Sequence, residues 1–325
     1  MEVSFNPKSV LITGGAGFIG SNLAMHIQEN FPECEIVIFD KFNNFKKYSN
    51  GNYLSLGNFK NLNNFKGKII CGDIGSTNDL SVLNNYKFDF IFHQAAISDT
   101  RVYDQELIMR TNINSFYFFL DKAVEDKSSL IYASSAATYG SLKAPNTIGN
   151  ELPENPYGFS KLAMDKIAAT YAKKFPNLRI IGLRFFNVYG RGEFFKGKTS
   201  SMIIQLGHQI LRGENPRLFE NSDSIYRDFV YINDVVSANI KCCSAKSGIY
   251  NVGSGIARSF KDVVDILQNE LSTSLEIEYF QNPYLDYQNH TCADLSLSVD
   301  GFGYDPKYSL EAGIKDYLPY IIETL

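Results

Sequence analysis

Thr13-Gly14-Gly15-Ala16-Gly17-Phe18-Ile19-Gly20 joins a short β-branched run, Ser9–Thr13, to a segment, Phe18–Glu29, in which Ile19, Leu23 and Ile27 recur every four residues. Strand, glycine turn and helix in that order read as the opening of a βαβ unit. Gly15, Gly17 and Gly20 fit the spacing G-x-G-x-x-G. Such glycines permit a tight turn, a close approach of backbone to a pyrophosphate, and contact between helix and strand. The helix N-terminus then offers unpaired N–H groups and a positive dipole end to the phosphates. Asp40 ends the next β-branched run, Glu35–Asp40, 20 residues past Gly20, where an acid meets the adenosine ribose. Gly14, Gly17, Phe18, Ile19, Gly20 and Asp40 are therefore expected to hold a nicotinamide dinucleotide. A carboxylate at Asp40 disfavours a 2′-phosphate by like-charge repulsion, whereas Lys41, Lys46 and Lys47 can neutralise one. The reading is NADP, with NAD as the alternative.

Outward from this turn, runs at Lys68–Cys71, Phe88–Phe92, Ser129–Ser134 and Arg179–Arg184 read as further strands. Helical patterns at Leu107–Glu125 and Tyr157–Lys174 separate the later ones. Such alternation predicts an α/β fold, a doubly wound parallel sheet of Rossmann type. The stretch Lys41–Lys66 carries eight asparagines without clear periodicity and reads as a long structured loop with a short helix. From about Asn187 the pattern becomes mixed and loop-rich, which suggests a smaller mixed α/β substrate-binding domain. The expected division assigns 1–185 with 230–255 to the dinucleotide domain and 186–229 with 256–325 to a nucleotide-sugar domain.

Composition bounds the rest. An apolar fraction of 44% supports a real core, and 31 basic against 35 acidic residues give a net charge of −4. No basic block argues for nucleic acid. Five cysteines, with Cys242 and Cys243 adjacent, read as reduced and mostly buried thiols rather than a disulfide framework. No apolar run reaches a membrane span and the first residues lack a signal peptide's pattern, so the expectation is a cytoplasmic protein with no membrane partner. No metal site is expected.

The chemistry is expected around Tyr157 and Lys161. Four residues apart on a helix, they share a face. A free tyrosine titrates near pH ~10, and a fixed positive charge beside it favours the phenolate. With 20 tyrosines in 325 residues, chance alone supplies roughly one such Tyr/Lys pair, so its neighbours must carry the weight. Tyr132-Ala133-Ser134-Ser135 ends the fifth strand, where open α/β sheets bind ligands. Ser135, further out than Ser134, is the hydroxyl expected to share a hydrogen bond with Tyr157 and a reacting alcohol. His93 reads as a core histidine and His290 as exposed or structural.

The chain resembles the extended short-chain dehydrogenase/reductase superfamily. The resemblance rests on the glycine turn, His93-Gln94-Ala95-Ala96, Ser135, Tyr157-x-x-x-Lys161 and Arg184-Phe-Phe-Asn187-Val188-Tyr189-Gly190. It implies that Tyr157 is the acid/base and that Lys161 holds the nicotinamide ribose and lowers the tyrosine pKa. It also places Gln94, Ala95, Ala96, Ile97, Ser98, Asn112 and Val188 at the cofactor, with Lys41 and Lys47 near its 2′-phosphate. Sugar 4,6-dehydratases carry an Asp-Glu pair where this chain has Ala136 and Ala137, which argues against that reaction.

Within the superfamily the chain is similar to the ADP-glyceromanno-heptose 6-epimerases. The likeness is carried by Glu193-Phe-Phe-Lys196-Gly-Lys198, Arg217-Leu-Phe219-Glu220-Asn221-Ser222, Arg227-Asp-Phe-Val-Tyr, Tyr287-Gln-Asn-His-Thr and Gly313-Ile-Lys-Asp-Tyr317. It implies epimerisation at C6 of an ADP-heptose through a transient 6-keto sugar, for the heptose of the lipopolysaccharide inner core. One tightly bound NADP per subunit and a homo-oligomer, a pentamer in that family, are further implications. Lys196 is then a second base opposite Tyr157 and also touches the cofactor; Asn187, Phe219, Glu220, Asn221, Ser222, Arg227 and Tyr287 hold the nucleotide-sugar. Lys198 and Gln205 depart from the family's serine and histidine. Without the likeness Lys196 reads as a solvated charge, Arg227 as an ion-pair partner of Asp228, and Tyr287 as a packing aromatic. The alternatives are another nucleotide-sugar epimerase or reductase, such as a UDP-galactose 4-epimerase or an enzyme of GDP-heptose, and a silent NAD(P)-binding regulator. The set Ser135, Tyr157, Lys161 and Lys196 argues against the last.

Overall fold

Alternation along the first two strands decides where the helices go. In the computed structural model, which describes residues 5–282 and 289–325, Val10, Ile12, Ile36 and Ile38 enter one apolar cluster and Leu11, Val37 and Phe39 another. Successive side chains of a strand point to opposite faces, so both faces of this sheet are buried and each needs a helical layer.

The strands are β1 (Ser9–Thr13), β2 (Glu35–Asp40), β3 (Lys68–Cys71), β4 (Phe90–His93), β5 (Ser129–Ser135), β6 (Ile180–Phe185), β7 (Asn187–Tyr189), β8 (Arg217–Phe219), β9 (Tyr226–Tyr231), β10 (Gly248–Val252), β11 (Ala257–Ser259) and β12 (Glu278–Phe280). The helices are α1 (Phe18–Asn30), α2 (Thr77–Ser81), α3 (Gln105–Ile108), α4 (Ser115–Asp126), α5 (Pro156–Lys174), α6 (Met202–Leu211), α7 (Ile232–Lys241), α8 (Phe260–Leu271), α9 (Ser296–Phe302) and α10 (Leu310–Glu323). Seven strands form one parallel sheet in the order β10-β6-β5-β4-β1-β2-β3. Helices α1 and α7 cover one face; α4 and α5 cover the other. The chain reverses direction across the sheet between β1 and β4, leaving a crevice at their carboxyl ends.

Beside this sheet lie two small ones, β11-β9-β7 and β12-β8, with α6, α8 and α10 packed together. The apolar cluster under α1 runs without a break into Leu206, Val263 and Ile314 of these helices. The fourth strand starts at Phe90 rather than Phe88 because the Phe88 N–H is held by the Asp126 carboxylate at 3.1 Å. The single helix expected over Leu107–Glu125 is interrupted by a π turn, Met109–Asn114, between α3 and α4. The five cysteines are unpaired, as expected, but only Cys242 and Cys243 are fully buried. Cys71 is exposed, because β3 is the edge strand of the sheet. Among the described residues no helix is long and apolar enough to cross a membrane, and no cluster of His, Cys, Asp or Glu could hold a metal.

Candidate active site

A cleft of about 860 Å³ opens over the carboxyl ends of β1, β2, β4 and β5. Its floor is the glycine turn. Gly17 starts α1 in an extended conformation without a side-chain cap. The first-turn N–H groups, which have no partner inside a helix, therefore belong to the cleft wall formed by Phe18, Ile19 and Gly20. Gly20 is needed for packing: a Cβ there would lie 2.3 Å from the Gly14 carbonyl oxygen. The turn fits a pyrophosphate, because the first-turn N–H groups of α1 are backbone donors at the cleft wall.

Asp40 ends β2 at the edge of the cleft. Its carboxylate lies inward, accepting from the Ala16 N–H at 2.9 Å and the Phe42 N–H at 3.0 Å. Burial pushes its pKa up against these hydrogen bonds. It thus ties the glycine turn to the end of β2 while bordering the cleft. Lys41 pairs with Asp73 at 2.6 Å on the cleft rim. Lys47 does not line the cleft; its ammonium sits 5.3 Å from the ring of Tyr53, which does.

Lys41–Lys66 is the expected structured loop, with its short helical turn at Phe59–Leu62. It crosses the cleft mouth. On one side the Asn50 and Asn52 amides donate to Asp99 at 3.0 and 2.5 Å. On the other, the Asn61 amide reaches the carbonyls of Ala16 and Gly192.

After β4, Gln94, Ala95, Ala96, Ile97 and Ser98 line the cleft. Asn112, on the π turn, stands behind them: its side chain accepts from the Ile97 N–H at 2.9 Å and donates to the Ile97 carbonyl at 3.0 Å. It also donates to the Ser160 hydroxyl at 3.0 Å, so it joins the cofactor wall to α5. His93 is a core residue, as expected: fully buried, bonded to Thr13, against Phe119, with its pKa lowered to about 3 by burial and by Lys161.

Helix α5 starts by rule. Asn155 caps it by accepting from the Gly158 N–H at 2.8 Å, and Pro156 takes the first helical position. Its buried face carries Tyr157, Lys161 and Asp165, one turn apart. Gly158 lets the helix touch the turn after β5, because a Cβ there would sit 2.4 Å from the Ala137 carbonyl oxygen. That contact brings Tyr157 to Ser135, whose hydroxyl favours the ionised phenol.

The expected lowering of Tyr157 by Lys161 is not what the structure gives. Burial raises the phenol, and only the Ser135 hydrogen bond opposes it. The Lys161 ammonium lies 5.9 Å from the Tyr157 ring centroid and donates to the Ala133 carbonyl at 2.6 Å. Burial lowers its own pKa to about 8, with Asp165 opposing. For both groups desolvation outweighs the contact that opposes it.

Lys196 enters from the turn Phe194–Thr199 and lines the same cleft, with its ammonium 5.4 Å from the Phe18 ring. Burial lowers its pKa; Glu193 opposes. Its side chain is half-buried rather than fully solvated. Asn187, Val188 and Arg227 also border the cleft. Asp228 directs its oxygens to Ser254, Gly255 and Ala293. Phe219, Glu220, Asn221 and Ser222 stand apart, on β8 and the turn after it, and Tyr287 lies outside the described residues. Gln205 donates to the Ser200 carbonyl at 2.8 Å, and Lys198 is exposed. Sequence reasoning missed Asp73 and Ile74 in the cleft wall, although a Gly-Asp pair at the end of β3 was a readable signal. It also missed Glu193, whose loop gave none.

Residues 10–253 match the NAD dependent epimerase/dehydratase family. The ADP-L-glycero-D-manno-heptose-6-epimerase of Brachyspira hyodysenteriae is 35% identical over 317 residues, 95% of this chain and 96% of that one. The crystal structure of the Helicobacter pylori enzyme of the same name superposes with a TM-score of 0.89 at 47% identity, covering 98% of this chain and 97% of that one. The UDP-glucose 4-epimerase of Thermotoga maritima gives a TM-score of 0.86 at 25% identity, covering 97% and 99%. The parallel sheet, the glycine turn at its switch point and the Ser135/Tyr157/Lys161 centre thus have their explanation in descent: this chain belongs to the NAD dependent epimerase/dehydratase family.

Proposed function

We propose that the protein inverts C6 of ADP-D-glycero-D-manno-heptose to give ADP-L-glycero-D-manno-heptose, the activated heptose of the lipopolysaccharide inner core. The observation that carries this reading is the convergence of two proton-handling groups, Tyr157 and Lys196, on one cleft in a chain 47% identical to a heptose 6-epimerase. A nicotinamide dinucleotide held by the glycine turn and the wall after β4 would supply hydride acceptance from C6 and its return, with no external oxidant consumed. Inversion needs the O6 proton to be removed and replaced with the sugar in two orientations. Tyr157 serves O6 in one and Lys196 in the other. Ser135 holds the Tyr157 phenol, and Lys161 fixes the end of β5 through the Ala133 carbonyl. Burial of Lys196 favours its neutral amine, which a base requires. Arg227 and Asn187 hold the nucleotide-sugar from the cleft wall.

The cofactor is NADP. What supports it is the inward carboxylate of Asp40, which is engaged by backbone N–H groups rather than facing a 2′-phosphate, with Lys41 on the cleft rim beside it. Denaturing the purified protein and identifying the released dinucleotide by mass tests this directly; NAD alone would contradict it.

The test of the activity is NMR at C6 of ADP-D-glycero-D-manno-heptose with purified protein and no added cofactor. Accumulation of the L-glycero isomer supports the reading. An unchanged heptose, with turnover of a UDP-sugar instead, overturns it.

A further inference from the structure

The loop that carries Lys196 leaves β7 at Gly190 and re-enters regular structure at Ser201, the residue before α6. Both ends meet on one side chain. The Glu193 carboxylate accepts from the Gly190 N–H at 3.2 Å, the Ser201 N–H at 2.6 Å and the Ser201 hydroxyl at 2.7 Å. It is fully buried. The rest of the turn builds on it: the Lys196 N–H donates to the Glu193 carbonyl at 2.9 Å, and the Thr199 hydroxyl to the Lys196 carbonyl at 2.9 Å.

A buried carboxylate is costly unless donors and a cation compensate it. The three donors here use both carboxylate oxygens, which an amide could not offer. Burial raises the Glu193 pKa, and Lys196, three residues on, opposes this together with the donors of Ser201 and Gly190. The other titratable groups around this carboxylate are phenols, Tyr189 on β7 and Tyr317 and Tyr320 on α10, which carry no positive charge. Arg191 is turned to the Tyr320 ring and Lys60 to the Phe195 ring, at 5.8 and 6.0 Å. We propose that Glu193 is the positioning residue of Lys196: its carboxylate clips together the two ends of the loop that carries the lysine.

This rests on the reading of Lys196 as the second base, but its physical content can be measured apart from it. The experiment is amide exchange over residues 190–201 of the holoenzyme, read by mass spectrometry, alongside kcat and KM. Glu193→Gln keeps the size but leaves one acceptor oxygen for three donors. Exchange over 190–201 should quicken, and kcat should fall at least about tenfold with KM unchanged. Unchanged exchange and kcat in the folded variant overturn the proposal. If Glu193→Gln does not fold, Glu193→Asp keeps both oxygens but shortens the reach. It too should speed amide exchange over residues 190–201 and lower kcat; unchanged exchange and kcat overturn the clip. If Lys196→Met epimerises normally while Glu193→Gln still loosens the loop, the second-base reading fails and the clip stands.

Discussion

In the proposed reaction Tyr157 gives and takes a proton, and burial holds its phenol above the ordinary value with Ser135 counteracting this. The phenol is therefore kept in its protonated form, and the Ser135 hydroxyl is the contact that favours its ionisation. Tyr157→Phe and Lys196→Met should each lower kcat by about 10²–10⁴-fold while leaving thermal unfolding close to wild type; normal inversion by Lys196→Met would refute the two-base reading. His93 makes a separate prediction about stability. Its folded pKa is lowered to about 3 from 6.5, so below pH 6.5 the unfolded chain binds a proton that the folded one refuses. Stability from this group is complete above pH 6.5 and is lost as pH falls towards 3. Between pH 7 and 5 the wild type should lose about 2 kcal/mol more than His93→Gln in urea unfolding; equal losses would contradict the buried neutral imidazole.

At the scale of elements, α5 does most to assemble the site. Its extent was legible to within a residue, since the pattern over Tyr157–Lys174 and the i, i+4 pair Tyr157/Lys161 mark one helix, whereas the Asn155 cap and Pro156 ahead of them went unread. What could not be read was how tightly it lies on the turn after β5. Gly158→Ala would improve helix propensity by about 0.5–1 kcal/mol. Here, however, the added methyl meets the Ala137 carbonyl and pushes Tyr157 from Ser135. The expected outcome is a lower melting temperature, by about 1–3 kcal/mol of stability, together with a large loss of kcat; a stabilised and active variant would show that the contact relaxes freely. The π turn at Asn112 escaped the sequence for a similar reason. Periodicity reports one continuous helix, and only the hydrogen bonds of Asn112 to Ile97 show why a residue is inserted there. Asp40 is the opposite case: its position was legible and its orientation was not, because the backbone donors that capture it come from distant loops.

The whole molecule follows from apolar alternation. Strands buried on both faces demand helices on both, and the reversal between β1 and β4 puts the crevice where the glycine turn lies. Short periodic strands at Ser9–Thr13, Glu35–Asp40 and Lys68–Cys71 were legible to the residue. The later part was not, since β7, β8, β11 and β12 are each three residues long, too short for any period to register. The asparagine-rich loop owes its form to amide hydrogen bonds across the cleft mouth rather than to apolar pattern. The central claim is that C6 is inverted by removing and returning the same hydride within one cleft. Substrate deuterated at C6, incubated with the protein and no added cofactor, tests it most directly. The account predicts L-glycero product that keeps its deuterium at C6. Product whose label has been replaced by solvent hydrogen would contradict it.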